Sequence, residues 1–221
     1  MQRIDTITLD RALPRVFAGS EKEPPVRDSQ VWLGHVEFER PGRYLVEAQS
    51  GAGKSSLCAF IYGSRNDYEG HILINGTDIS SFSIARWTQL RCRSLAYLPQ
   101  EMRLFPELTA MENILVKNRL TDFKTAAEIT AMLDRLGVAG KAGVEAGKLS
   151  VGQQQRVAIV RALCQPMDFL LIDEPVSHLD ARNNSTVAAL IEEEAARQGA
   201  SIIATSVGNN IDIKNFTVLH L

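Results

Sequence analysis

The sequence predicts an α/β fold: a mostly parallel sheet with crossover helices, an antiparallel β-rich lead-in and an inserted helical lobe. Three observations predict it. Short apolar runs at residues 44–46, 95–98, 169–172 and 202–205 have the length of buried strands, and in the second half they alternate with helix-length segments, the pattern of parallel strands joined by helical crossovers. A loop of small residues at 48–53 lies between an apolar strand and an apolar helix. Over residues 101–148 the periodicity turns helical before strand and helix alternation resumes. The chain has 221 residues, 45% hydrophobic and 23% charged, so it buries a real core as one domain or two lobes at roughly 150 residues per domain.

The elements follow in order. Residues 1–47 read as antiparallel β structure, with Ile4, Ile7 and Leu9 in broken alternation and strands at 31–38 and 44–46 flanking a Pro41-Gly42 turn. Residues 19–29 between them form a charged loop containing prolines. A helix over 57–62 stops at Gly63, and a strand over 71–74 runs into Asn75-Gly76, a dipeptide suited to a tight hairpin because both residues tolerate positive φ. A strand over 95–98 ends at Pro99-Gln100. Ala126, Ile129, Leu133 and Leu136 share one helical face that Gly137 closes. A helix over 153–163, a strand over 169–172, a helix over 182–198 capped by Gly199 and a strand over 202–205 complete the chain. The expected organisation is a single domain over 1–221, with 1–100 and 149–221 as the β-rich core and about 101–148 as the helical lobe.

Composition removes several function classes. Lys and Arg number 24 against 26 Asp and Glu, a net charge of −2, so there is no global basic field and no nucleic-acid partner is expected. No apolar run approaches the ~20 residues of a membrane span, and the N-terminal residues show no export signal. Cys58, Cys92 and Cys164 are far apart and lack metal-ligand spacing, so each is read as a small buried hydrophobe in a reducing cytoplasm. His35, His71 and His220 have no ligand spacing either and are read as structural.

The chemistry concentrates in three places. Ala48-Gln49-Ser50-Gly51-Ala52-Gly53-Lys54-Ser55-Ser56 leads from strand to helix, so successive backbone N–H groups and the positive helix end converge where a phosphate binds. In that arrangement Lys54 bridges the β- and γ-phosphates and the Ser55 hydroxyl ligates Mg²⁺. The competing reading is a glycine-rich turn that merely joins strand to helix, and the strand–loop–helix setting favours the phosphate loop. Residues 169–175 form an apolar strand that delivers Asp173 and Glu174 at its C-terminal end, where open α/β sheets place their ligands. Asp173 suits the Mg²⁺ hydration shell and Glu174 suits a general base toward water, against the alternative of a polar turn. Third, Leu149-Ser150-Val151-Gly152-Gln153 opens a helix, where Ser150 reads equally as an N-cap.

With that last motif the chain resembles the nucleotide-binding subunit of ATP-binding cassette (ABC) transporters over roughly residues 30–206, and most resembles bacterial lipoprotein-release and macrolide-export cassettes. Leu-Ser-Val-Gly-Gln stands where the family has Leu-Ser-Gly-Gly-Gln. The resemblance implies a phosphate-loop NTPase with a RecA-like parallel core, and ATP and Mg²⁺ as cofactors. It assigns Gln49, Ser50, Gly51, Ala52, Gly53, Lys54, Ser55 and Ser56 to the nucleotide bound by this chain. Ser150, Val151, Gly152 and Gln153 then clamp the γ-phosphate held by an opposite cassette, and Asp180 in Ser177-His178-Leu179-Asp180 communicates across the dimer. Gln100 matches the glutamine that senses Mg²⁺ and couples the sheet to the helical lobe. Phe17 is the candidate for stacking on adenine, with Tyr44 assigned to the core, and His178 is read as a surface or interface side chain.

Three departures from the family pattern bear on rate. Ala48 replaces a glycine and is tolerated at negative φ. Val151 replaces a signature glycine beside the partner's γ-phosphate, which loosens closure. Ser206 occupies the position of the switch histidine, and a hydroxyl carries no positive charge near neutral pH. The expectation is therefore a slow Mg-dependent ATPase with Glu174, Lys54, Gln100 and Ser206 in the catalytic set. Its implied partners are a membrane-embedded permease subunit and a second cassette, as homodimer or heterodimer, with the chain peripheral on the cytoplasmic face of the cell membrane. The alternatives are a non-transporting mechanical relay and a nucleotide-gated binding subunit with weak or no hydrolysis.

Overall fold

The computed structural model describes residues 3–24, 26–175 and 181–221, without the side chains of residues 181 and 182. The chain builds two sheets. The first is antiparallel, made of β1 (Thr6–Pro14), β2 (His35–Glu39), β4 (Tyr68–Ile74) and β5 (Thr77–Asp78) in the order β2-β1-β4-β5. Ile7 of β1 lies opposite Phe38 on one side and Ile74 on the other. The second is parallel, in the order β6-β7-β8-β3-β9, from β3 (Arg43–Glu47), β6 (Leu95–Leu98), β7 (Phe169–Asp173), β8 (Ser201–Ser206) and β9 (Thr217–His220). The helices are α1 (Lys54–Ile61), α2 (Ile84–Arg93), α3 (Ala110–Asn118), α4 (Ala126–Arg135), α5 (Val151–Leu163) and α6 (Ala181–Gln198).

Both faces of the parallel sheet are buried at its inner strands, which is why those strands read as unbroken apolar runs. Leu45, Leu170, Ile172, Ile202 and Ala204 face a cluster with residues of α3, α4, α5 and α6. Val46, Phe169, Leu171 and Ile203 face the other way, onto Leu57, Phe60 and Ile61 of α1 and the antiparallel sheet. Every residue of β7 and β8 is buried. The C-terminal ends of β3, β7 and β8 therefore open together on one edge, and α1 starts there.

The Asn75-Gly76 hairpin forms as expected, with φ of 48° and 74°. Three expectations are corrected. The strand expected over 31–38 begins only at His35, because Leu33 takes a φ of 58° and its N–H bonds the Ala12 carbonyl, turning the chain and burying Trp32. Pro41-Gly42 does not close an antiparallel hairpin; the chain crosses there to the parallel sheet, where β3 lies between β8 and β9. The Tyr44 hydroxyl reaches back across that crossover, accepting from the Glu39 N–H at 2.8 Å, which makes Tyr44 a packing residue. Cys92 is half-buried, unlike Cys58 and Cys164.

Two elements went unread. Helix α2 buries only Leu90 fully, too little to show as a periodic stripe, although the Ser83 cap and the closing Arg91 and Arg93 mark its ends. Strand β9 is mostly exposed along the sheet edge. His35, His71 and His220 are surface residues that sit 3.6, 2.6 and 3.9 Å from the carboxylates of Asp10, Asp78 and Glu47.

The antiparallel sheet carries a bulge: between the pairs Asp10↔His71 and Leu13↔Glu69, two residues of β1 face Gly70 alone. Arg11 has a φ of 49° and Gly70 of 79°, and a Cβ on Gly70 would fall 2.1 Å from the Arg11 carbonyl oxygen. Gly70→Ala combines a left-handed backbone with a backbone clash, so denaturant unfolding should show a loss of about 2–4 kcal/mol.

Candidate functional site

The loop of residues 48–53 leaves β3 and turns into α1 through two left-handed glycines, Gly51 at φ 86° and Gly53 at φ 97°. Ala48 is not among the positive-φ residues, so its methyl is accommodated as expected. Among the five helices whose N-caps are described, α2, α3, α4 and α5 are capped by the side chains of Ser83, Thr109, Thr125 and Ser150, whereas Gly53 offers α1 no side chain. The first-turn N–H groups of α1 are thus left to an anion from outside the chain. Ser55 is exposed beside them. Two aromatic residues fix the loop from behind. The buried Trp32 donates from Nε1 to the Ala52 carbonyl at 2.9 Å, and the rings of Trp32 and Phe17 close on Gly53, where a Cβ would meet them at 3.1 and 3.2 Å.

Lys54 is 4% exposed. Its ammonium donates to the carbonyls of Ala48 at 3.2 Å and Gln49 at 2.9 Å and lies 3.5 Å from Glu174 Oε1. Gln100 Nε2 donates to Glu174 Oε2 at 3.2 Å. The glutamate, the lysine and the glutamine come from three separate elements, and the structure brings them together at the mouth of the phosphate loop. Glu174 reaches this place with a φ of 48°, an uncommon conformation for a non-glycine residue.

Asp173, the last residue of β7, is buried, and its Oδ1 accepts from the Thr205 hydroxyl at 2.7 Å. The same hydroxyl oxygen accepts the Glu174 N–H at 3.3 Å. Thr205 therefore links both carboxylate residues, and the sequence reading passed over it. Its signal was the strand of residues 202–205, whose last residue it is. Behind Asp173, burial raises the Cys58 thiol well above its ordinary range and the aspartate adds to that, so Cys58 is a packing residue and not a nucleophile.

Ser206 closes β8 beside the loop, its carbonyl accepting the Ala48 N–H at 3.1 Å. Its hydroxyl is buried without a hydrogen-bond partner among the described residues, and does not reach Glu174. Ser150, Val151, Gly152 and Gln153 lie at the start of α5. Ser150 and Gln153 form a reciprocal capping box, Gln153 N–H to Ser150 Oγ at 3.4 Å and Ser150 N–H to Gln153 Oε1 at 3.0 Å, and Val151 is 48% exposed. The N-cap reading of Ser150 is borne out. Further along α5, the buried Gln155 donates from Nε2 to the Pro175 carbonyl, next to Glu174. Asp180 and His178 lie outside the described residues.

A cleft of about 400 Å³ flanks the loop, lined by Pro24, Asp28, Gln49, Ser50, Gly51, Ala52 and Leu221. A larger one of about 620 Å³ between the antiparallel sheet and α2 contains none of the site residues expected from the sequence. The smaller cleft shares residues 49–52 with the phosphate loop, and the lysine–glutamate–glutamine contacts lie beside it at the start of α1. For a nucleotide with Mg²⁺ the donor set fits: uncapped helix N–H groups and an ammonium for phosphate, and the hydroxyl of Ser55 with the carboxylate of Asp173 for a hard cation.

Comparison with known proteins agrees with this geometry. Residues 37–177 match the family described as ABC transporter. The chain is 32% identical over 204 residues to the ABC transporter ATP-binding protein YtrE of Bacillus subtilis, covering 90% of this chain and 86% of YtrE. It is 32% identical over 183 residues to the lipoprotein-releasing system ATP-binding protein LolD of Shewanella denitrificans, covering 80% and 77% of the two chains. Its fold matches the dimeric structure of MJ0796, a bacterial ABC transporter cassette, with a TM-score of 0.73, 22% identity and 84% of each chain covered.

Thr205→Val keeps the side-chain shape, removes both hydrogen bonds and leaves a buried carboxylate oxygen unpartnered. Steady-state ATP turnover should fall by about 10- to 100-fold. Thr205→Ser, which keeps the hydroxyl, should stay within about threefold of the parent.

Proposed function

The chain belongs to the ABC transporter family, and on that premise we propose that it is the ATP-binding and ATP-hydrolysing subunit of an ABC transporter, which closes as a dimer around ATP and drives a membrane-embedded partner. The observation that carries this reading is the convergence of Lys54 and Gln100 on Glu174, at 3.5 and 3.2 Å, beside the uncapped start of α1. Each group has a separate task. The α1 N–H groups and Lys54 bind and neutralise the phosphates, and the adjoining residues 49–56 wrap them. Phe17, which lies beside Gly53, is the candidate by chain order for stacking on adenine. Glu174, held by Gln100 and by its own backbone bond to Thr205, takes the proton of the attacking water. Ser55, Asp173 and Gln100 are the residues that would hold Mg²⁺, which supplies charge neutralisation at the transferring phosphoryl group.

In a closed dimer the start of α5, with its Ser150–Gln153 capping box and the exposed Val151, would face the nucleotide of a second cassette, with Val151 crowding the contact. Similarity to ATP-binding proteins of transporter systems supports a peripheral subunit on the cytoplasmic face working through a permease; no described helix is long and apolar enough to cross a membrane. Ser206 supports slow turnover, since its buried hydroxyl brings no cation to the site. The same observation favours a second reading, a nucleotide-gated subunit that binds ATP with little hydrolysis. A mechanical relay without transport would use the same motor.

Two measurements test this. Ser206→His should raise steady-state turnover by about tenfold or more; no gain, with an unchanged melting temperature, removes Ser206 from the catalytic set. Glu174→Gln removes the base while leaving the amide able to hydrogen-bond, so it should trap the ATP-bound dimer. Tagged Glu174→Gln protein purified from detergent-solubilised host membranes with Mg-ATP should bring down a polytopic membrane protein in stoichiometric amount; recovery of the chain alone, or with soluble proteins only, sinks the membrane-motor reading.

A further inference from the structure

Arg161 stands in the last turn of α5, eleven residues after Ser150. Its guanidinium is half-buried, and no carboxylate pairs with it among the described residues. Instead Nη1 donates to the Arg103 carbonyl at 2.7 Å and Nη2 to the Met102 carbonyl. Burial pulls the guanidinium below its ordinary range, only partly offset by Tyr62, so the two carbonyls are the compensation for a desolvated cation. The two residues it holds are themselves unusual. Met102 and Arg103 are consecutive non-glycine residues with φ of 58° and 51°. Such a pair persists only where the surroundings over-determine the backbone. The left-handed kink directly follows Gln100 and Glu101, and Gln100 is the residue whose amide reaches Glu174 at 3.2 Å.

We infer that Arg161 is a positioning residue: its fork clamps the left-handed turn after Gln100 to the end of α5, and so sets the reach of the Gln100 amide to Glu174. The same helix holds the other flank of Glu174, where Gln155 donates to the Pro175 carbonyl. Helix α5 therefore grips the base from both sides, and a displacement of its Ser150 end is delivered to Glu174 through two separate hydrogen-bonded arms. A planar fork spans two successive carbonyls, which a lysine ammonium on a flexible stem does not do with fixed geometry. Arg161 also lies where a cation favours a helix C-terminus, and that purely structural role is the one the test has to separate.

The inference rests on the reading of Glu174 as the hydrolytic base, and the test uses the full chain with Arg161→Lys and Arg161→Met. In the nucleotide-free protein, amide hydrogen exchange over residues 101–104 should accelerate by about tenfold or more in both variants. The melting temperature should stay within about 4 °C of the parent. The kcat for ATP should fall by about tenfold in both variants with KM changed less than about twofold. Arg161→Met combined with Gln100→Ala should be no slower than Gln100→Ala alone, because the arginine acts through the glutamine. Parent-like exchange and turnover in Arg161→Lys would overturn the inference, since a last-turn cation would then suffice, and so would additive losses in the double variant. If the parent itself does not hydrolyse ATP, the reading of Glu174 fails, and the exchange rates over residues 101–104 alone then decide the clamp: faster exchange in both variants upholds it, unchanged exchange refutes it.

Discussion

One register governs the candidate site: β7 and β8 run parallel with Asp173 opposite Thr205. A slip of one residue in that pairing would exchange the faces of the two strands, sending Asp173 or Thr205 toward the wrong layer. With the register as it is, the threonine hydroxyl falls 2.7 Å from the aspartate and 3.3 Å from the next backbone N–H. A hydroxyl has one proton to donate and two lone pairs to accept, so this arrangement is directional: Glu174 N–H to Thr205, Thr205 to Asp173. The apolar burial of both strands on two faces enforces the register, because every residue of β7 and β8 is packed.

The helices divide by how their N-termini are satisfied. Four of the described caps are closed by a Ser or Thr hydroxyl, and those helices are complete by themselves. Helix α1 is closed by a glycine at φ 97° with no side chain to offer. Its backbone donors, with Lys54 folded back on the loop carbonyls, form a site that is stable without ligand but electrostatically incomplete. Trp32 and Phe17 hold the loop in this state from the antiparallel side, which ties the shape of the phosphate loop to the packing of the other sheet.

Three of the eight left-handed non-glycine residues among those described lie around the same centre. Glu174, Met102 and Arg103 all have positive φ, and each is held by a hydrogen bond from another element: Thr205 takes the Glu174 N–H, and Arg161 takes the carbonyls of Met102 and Arg103. Strain of this kind costs on the order of 1–2 kcal/mol per residue and is tolerated because the surrounding sheet and helix leave the backbone no alternative.

The amino-acid sequence by itself determined the parallel core, the phosphate loop, the acidic strand end and the capped start of α5. In each of these a local signal and a packing signal coincide: apolar runs for strands buried on both faces, Gly51 and Gly53 for positive φ, Ser150 with Gln153 for a capping box. Tertiary structure alone decided what depends on distant partners. Nothing local says that β3 leaves its antiparallel neighbours at Pro41-Gly42 to pair between β8 and β9, because that choice lies in which layer accepts Leu45 and Val46. Helix α2 and strand β9 are held by few buried side chains and so left no periodic trace. Trp32, Thr205 and Arg161 look like ordinary core and helix residues in the sequence. They become site residues because the fold brings Ala52, Asp173 and the Gln100 turn within hydrogen-bonding distance of them, and a hydrogen bond across tens of residues has no signature in the order of the chain.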